Sequence, residues 1–79
     1  MELDQDQLTY GEKAVGLTFD PSNDENVQKC KVAFAGIIDN LNRLRELSHD
    51  AEVKRMVSVA ITEAQTAQMW AVKAITWKE

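Results

Sequence analysis

One cysteine, one histidine, one proline and three glycines in 79 residues rule out several ways of building or using a small protein. Cys30 has no partner, so no disulfide can staple the chain. With His49 as the lone imidazole, there is no Cys/His cluster of zinc-site spacing. Nor is there a histidine pair or carboxylate–histidine cluster on which hydrolysis could be built. The sequence is therefore not expected to be an enzyme, to bind a metal or to carry a cofactor. No apolar run is long enough to span a bilayer, and the first residues are acidic where a signal peptide would be basic. A cytoplasmic protein is expected, and the unpaired thiol agrees with a reducing compartment. A single domain over residues 1–79 is small for a self-sufficient core. With disulfides and metals set aside, self-association is the remaining staple.

What is present begins with charge. The net charge of −4 is unevenly spread. Residues 1–26 hold seven acids against Lys13, giving −6, and residues 27–79 hold eight bases and six acids, giving +2. A body at +2 is too weakly basic for a general DNA or RNA binder, yet suffices for a small anionic ligand.

The longest uninterrupted pattern is Val53 to Trp77, with no Gly or Pro and strong helix formers throughout. Val53, Val57, Ala60, Ala64, Ala67, Ala71 and Ala74 recur at alternating spacings of four and three, a heptad seam made mostly of alanine. Such a seam lets a second helix come close, with Ala60, Ala64, Ala67 and Ala71 as the expected oligomer contact. A second stripe runs through Met56, Ile61, Gln65, Gln68, Met69, Val72 and Ile75, so more than one neighbour is expected. Trp70, Lys73 and Trp77 form a third face at i, i+3 and i+7. Two readings stand there: tryptophans packed on a neighbouring subunit, the weightier on pattern alone, or rings and an ammonium that grip a nucleobase and a phosphate.

Upstream, Ser22 followed by Glu25 reads as a capping box opening a first helix over residues 22–47. Val27, Cys30, Phe34, Ile37, Ile38, Leu41, Leu44 and Leu47 supply its large-residue ridge, with Cys30 as a buried small hydrophobe. Gly36 in mid-helix suggests the close approach of another backbone. Ser48-His49-Asp50 is a turn, with His49 solvated and Ser48 or Asp50 capping a second helix over residues 50–77. Residues 1–7 form an expected flexible tail. Residues 8–21 alternate Leu8, Tyr10, Val15, Leu17 and Phe19 with polar residues and glycines, which predicts an extended loop covering the end of the hairpin. Gly11 and Gly16 have four residues between them as in a phosphate loop, but Leu17 replaces the required Lys, so they are read as turn glycines allowing positive φ. The expected fold is all-α: an antiparallel two-helix hairpin preceded by an extended N-terminal loop, assembling into a compact homo-oligomer. Antiparallel pairing brings Lys29 and Lys31 beside Met69, Trp70 and Lys73 at the open end, where the loop would add Tyr10 and the chain end Lys78.

Arg55 to Ile75, RMVSVAITEAQTAQMWAVKAI, resembles the second-helix motif of the phage anti-CBASS cyclic-oligonucleotide sponges, whose hairpin the anti-Thoeris sponges share. Thr62, Glu63, Gln65, Thr66, Met69, Lys73, Ala74 and Ile75 carry the resemblance. It implies a protein of the infected bacterial cell that forms a homohexamer and sequesters a cyclic nucleotide immune messenger, most of all a cyclic dinucleotide, without cleaving it. In that family a loop tyrosine stacks on the ligand and a lysine early in the first helix meets phosphate, in pockets between protomers. Tyr10 matches the tyrosine, and either Lys29 or Lys31 the lysine. The candidate ligand-binding set is thus Tyr10, Gly11, Lys29, Lys31, Trp70 and Lys73. The position before Thr62 is an arginine in members that bind cyclic trinucleotides at a second site, and here it is Ile61. A phage adaptor that docks a host protein on its exposed hairpin face would account for the tryptophans equally well.

Overall fold

The structure is a computed structural model that describes residues 7–78. Three helices follow one another: α1 Tyr10–Ala14, α2 Glu25–Leu47 and α3 Ala51–Ile75. Helices α2 and α3 form the expected antiparallel hairpin. Most of the tail expected over residues 1–7 lies outside the described residues.

The hairpin turn follows the sequence closely. Ser48 N–H donates to the Leu44 carbonyl and ends α2, while the Asp50 carboxylate accepts from the Glu52 and Val53 N–H groups at 2.8 and 3.3 Å and starts α3. His49 is exposed between them. The other end of α2 differs from expectation, because the N-cap is Asp24, which accepts from Asn26 N–H at 2.8 Å. Ser22 is used earlier, in a turn where its hydroxyl donates to Asp20 and accepts from Asp24 N–H, with Asn23 at a φ of 52°. That turn delays the helix by three residues.

The segment over residues 8–21 is also more ordered than an extended loop. Thr9 and Glu12 form a reciprocal capping box, Glu12 N–H donating to Thr9 Oγ1 at 3.1 Å and Thr9 N–H to Glu12 Oε1 at 2.8 Å, and one turn and a half of helix grows from it. Gly16, at a φ of 65°, ends the segment's helical run as a turn glycine should. Gly11 does something else. It is helical and buried, a Cβ there would lie 2.1 Å from the Ala35 carbonyl oxygen, and its N–H donates to Asp39 Oδ1 at 2.7 Å. Close backbone approach therefore occurs at Gly11, whereas Gly36 is exposed with open space where a Cβ would stand.

Leu8, Val15 and Leu17 of this segment are buried together with Ala35, Ile38, Val57 and Ile61, and Ala14, Phe34, Leu41, Val53 and Ala64 pack around them. The N-terminal segment is thus a third layer of the core, held also by Gln65 Nε2 donating to the Ala14 carbonyl. The face of α3 turned inward is Val53, Val57, Ile61, Ala64 and Gln68, which cuts between the two stripes read from the sequence. Ile61 takes the place that the heptad seam gives Ala60, because an isoleucine removes far more apolar area from water. Ala60 and Ala71 are half-buried and Ala67 is exposed. Cys30 is half-buried rather than fully enclosed. Much apolar surface stays outside: Val32, Ile37 and Leu44 on α2, and Met56, Val59, Met69 and Trp70 on α3, are all about half exposed or more.

Gly11→Ala should cost about 3 kcal/mol or more, at the upper end of overpacking penalties, because the colliding atom is a backbone oxygen that cannot rotate away. Urea unfolding of the variant measures it. Gly36→Ala, in open space on a helix, should instead stabilise by up to about 1 kcal/mol.

Candidate functional site

The candidate residues fall into three separate places. Tyr10 opens α1 with its ring about half exposed, and the Arg45 guanidinium lies over it at 5.5 Å from the ring centroid. Arg45 Nη1 donates to Ser58 Oγ at 3.0 Å and Nη2 to Asn42 Oδ1 at 2.8 Å, so the guanidinium is fixed across the hairpin near its turn. Gly11, the next residue, is buried against α2 with its N–H already taken by Asp39, which makes it a packing residue rather than part of an open contact surface.

Lys31 defines the second place. It is buried, 6 % exposed, and its ammonium donates to the carbonyls of Gly16, at 3.0 Å, and Phe19, with the Phe19 ring 5.8 Å away. Its charge holds the turn that follows α1. Lys29, by contrast, is exposed and paired with Glu25 at 3.0 Å one helical turn back. Of the two lysines that the sequence left open, Lys29 is the one facing solvent.

The third place lies on the outer face of α3. Lys73 Nζ stands 5.2 Å from the Trp70 ring centroid, the cation–aromatic stacking expected from their spacing. Thr66, Met69, Trp70 and Lys73 line a shallow groove of about 300 Å³ there. Trp77 and Lys78 are exposed beyond the helix.

Tyr10 does not join the convergence expected at the open end within one chain. Tyr10 sits with Arg45 toward the turn. Ser58, bonded to that Arg45, and Trp70 are twelve residues apart on α3, or about 18 Å at the helical rise. The reason is the docking of α1: with Gly11 fixed at Ala35 and Asp39, the segment runs along α2 from the Arg45 level to Lys31 instead of capping the open end. Sequence reading missed Arg45, Asn42, Asp39 and Ser58. The Thr9-x-x-Glu12 box was the available signal for α1, and Asn42 and Arg45 at i and i+3 for the guanidinium's support. At the turn, Arg55 holds the Glu52 carboxyl below its usual range through a hydrogen-bonded pair, and Glu52 raises Arg55 in turn. Both are exposed and lie at the start of α3, so they shape the turn's surface charge only.

Fold and surface together define a class: a small all-helical hairpin with an N-terminal segment folded into its core and aromatic–cation pairs on its outside. Residues 12–76 match the family described as Acb2/Tad1, hairpin domain, and the chain belongs to that family, the anti-CBASS and anti-Thoeris sponges. The family is associated with anti-defence sequestration of cyclic nucleotides. Neither curated proteins nor solved structures give a significant match. No helix among the described residues is long and apolar enough to cross a membrane.

Lys31→Met should lower stability by about 1–3 kcal/mol, since it removes the donor that satisfies two carbonyls of a part-buried turn. Lys29→Gln should stay within about 0.5 kcal/mol of the parent, as an exposed i,i+4 pair contributes little. Denaturant melts of the two variants side by side measure the difference.

Proposed function

We propose that this protein sequesters a cyclic dinucleotide, or a similarly small cyclic nucleotide, without cleaving it, in pockets formed between protomers of a homo-oligomer, a hexamer in our reading, in the cytoplasm of an infected bacterial cell. The observation that carries the proposal is the family match over residues 12–76, which takes in the whole of α2 and α3. Tyr10 lies just ahead of the matched segment, and its role rests on its own geometry: an exposed ring on a segment locked by the Gly11 contact. Lys29 is the helix-one cation that faces solvent, and Trp70 with Lys73 offers a second ring and charge. Tyr10 and Trp70 stand about 18 Å apart along the hairpin, so a ligand that uses both must lie between copies. The exposed apolar residues of α2 and α3 give those copies a face on which to meet. Sequestration rather than hydrolysis fits a sequence whose one histidine is exposed in the turn and has no second histidine to work with. The same exposed Trp70 and Trp77 favour the rival reading, an adaptor that docks a host protein.

Calorimetry with cyclic di- and trinucleotides separates these readings. Base stacking contributes about 1–3 kcal/mol, so Tyr10→Ala should weaken cyclic dinucleotide binding by about ten- to a hundredfold while leaving the oligomer intact. Ligand released by heating should be unmodified. Absence of any cyclic nucleotide binding by the wild type would move the adaptor reading ahead.

Cyclic trinucleotides should bind weakly through α3. Ile61 is 3 % exposed in the chain's own core and can offer no charge-assisted hydrogen bond to a phosphate. Sub-micromolar affinity would show that another cation has taken that role.

Assembly is tested by two alanines in different settings. Ala67→Glu, at an exposed position, should split the oligomer and leave the hairpin helical, whereas Ala64→Glu should unfold it, because an unpaired charge would enter the core at a cost of several kcal/mol. Light scattering and circular dichroism read the two effects. A wild type that is a stable monomer at micromolar concentration would sink the inter-protomer pockets.

A further inference from the structure

We infer that Arg45 is a ligand-contacting residue of the Tyr10 site, its guanidinium taking a phosphate of the nucleotide whose base stacks on Tyr10. The inference rests on the sponge reading and names the cation that the Tyr10 site uses. Three features of Arg45 carry it. Its guanidinium is oriented by neutral acceptors alone, Ser58 Oγ and Asn42 Oδ1. Among the described residues the ion pairs join Lys29 to Glu25 and Arg55 to Glu52, which leaves Arg45 without a carboxylate partner. Glu46, the next residue along α2, points off to a different side and accepts from Asn42 Nδ2 at 3.1 Å, so the Asn42 amide, not the acid, meets the guanidinium.

A guanidinium has five N–H donors, and two are occupied here, leaving three for a further acceptor. Planar donors held in this way match phosphate oxygens in pairs. The ring beneath is about half exposed, with one face against Arg45, so a base can stack from the other side. The two lysines early in α2 are poorly placed for this role. Lys31 is buried on the turn carbonyls, and Lys29 lies sixteen residues up α2, about 24 Å away. Lys54, exposed one helical turn before Ser58, adds positive potential at the same end of the hairpin. A structural arginine in this position would be expected to find a carboxylate; one that is aimed but left uncompensated is suited to an anion that arrives from solution.

The test uses the full chain and three probes, cyclic di-AMP, cyclic di-GMP and cyclic GMP–AMP, titrated by calorimetry at low and high salt. Arg45→Met keeps the apolar stem against Tyr10 and removes the charge. It should weaken the best probe by about ten- to a hundredfold and flatten the salt dependence, a change that a purely structural role would not produce. Arg45→Lys should recover the salt dependence with affinity about three- to tenfold below wild type, since a point charge replaces a fork. Arg45→Met binding as tightly as wild type, with the same salt dependence, overturns the inference and leaves the sponge reading standing. Wild type that binds none of the probes overturns both. If Arg45→Met does not fold, Arg45→Lys decides alone: retained salt dependence with a modest loss supports the contact, and complete loss of binding by a folded Arg45→Lys overturns it.

Discussion

The contact between Gly11 and the Ala35–Asp39 turn of α2 is the constraint on which the rest of this small structure depends. Two helices alone could bury one narrow seam, and a chain of 79 residues has little else to offer as a core. Bringing α1 to within a missing Cβ of α2 lets Leu8, Val15 and Leu17 close over Ile38, which is fully buried, and Ile61. Asp39 fixes the approach by accepting Gly11 N–H, and Lys31 fixes the next turn through the carbonyls of Gly16 and Phe19. The hairpin and its N-terminal segment therefore form one unit, and the orientation of Tyr10 is a consequence of core packing rather than a property of a free loop.

That dependence explains which parts of the fold the sequence could disclose. The hairpin was legible because its signals are local: helix formers without interruption, Asp50 as a cap, and Ser48-His49 as a break. The short helix at Tyr10 was legible in principle, since Thr9 and Glu12 make a capping box, but the period-2 alternation of the surrounding apolar residues argued more loudly for an extended chain. The alternation proved to serve a different end, with Val15 and Leu17 reaching the core from a turn rather than a strand. The place where α1 docks was not legible. Gly11 and Gly36 look alike in sequence, and only the packed structure shows that the first is a contact and the second is open.

The same limit governs the candidate site. Spacing on one helix correctly places Lys73 over Trp70, because i and i+3 neighbours meet whatever surrounds them. Positions on different elements follow from docking, so Tyr10 was expected beside Lys29 and is found under Arg45. Lys29 and Lys31 differ by two residues, which on a helix is more than half a turn, and this puts one in solvent and the other inside. Family resemblance could not tell them apart; burial shows that Lys29 is the one in contact with solvent.

The uneven use of charge gives the structure its final asymmetry. Lys31 is committed to the fold, its ammonium wrapped by carbonyls and an aromatic ring, while Arg45 is positioned by an amide and a hydroxyl that leave its charge whole. Holding a cation that has no carboxylate partner among the described residues near a part-buried ring costs desolvation without the return that a carboxylate would give, and the proposed phosphate contact would supply that return. An exposed apolar face raises the same question in another form, since Ile37, Leu44, Met56 and Val59 gain nothing from water. A second copy on that face and an anion on the arginine would answer both, and the two are linked. A copy that docked beside Tyr10 and Arg45 would turn a ring open on one side into part of a closed pocket, without any movement of the chain that carries it.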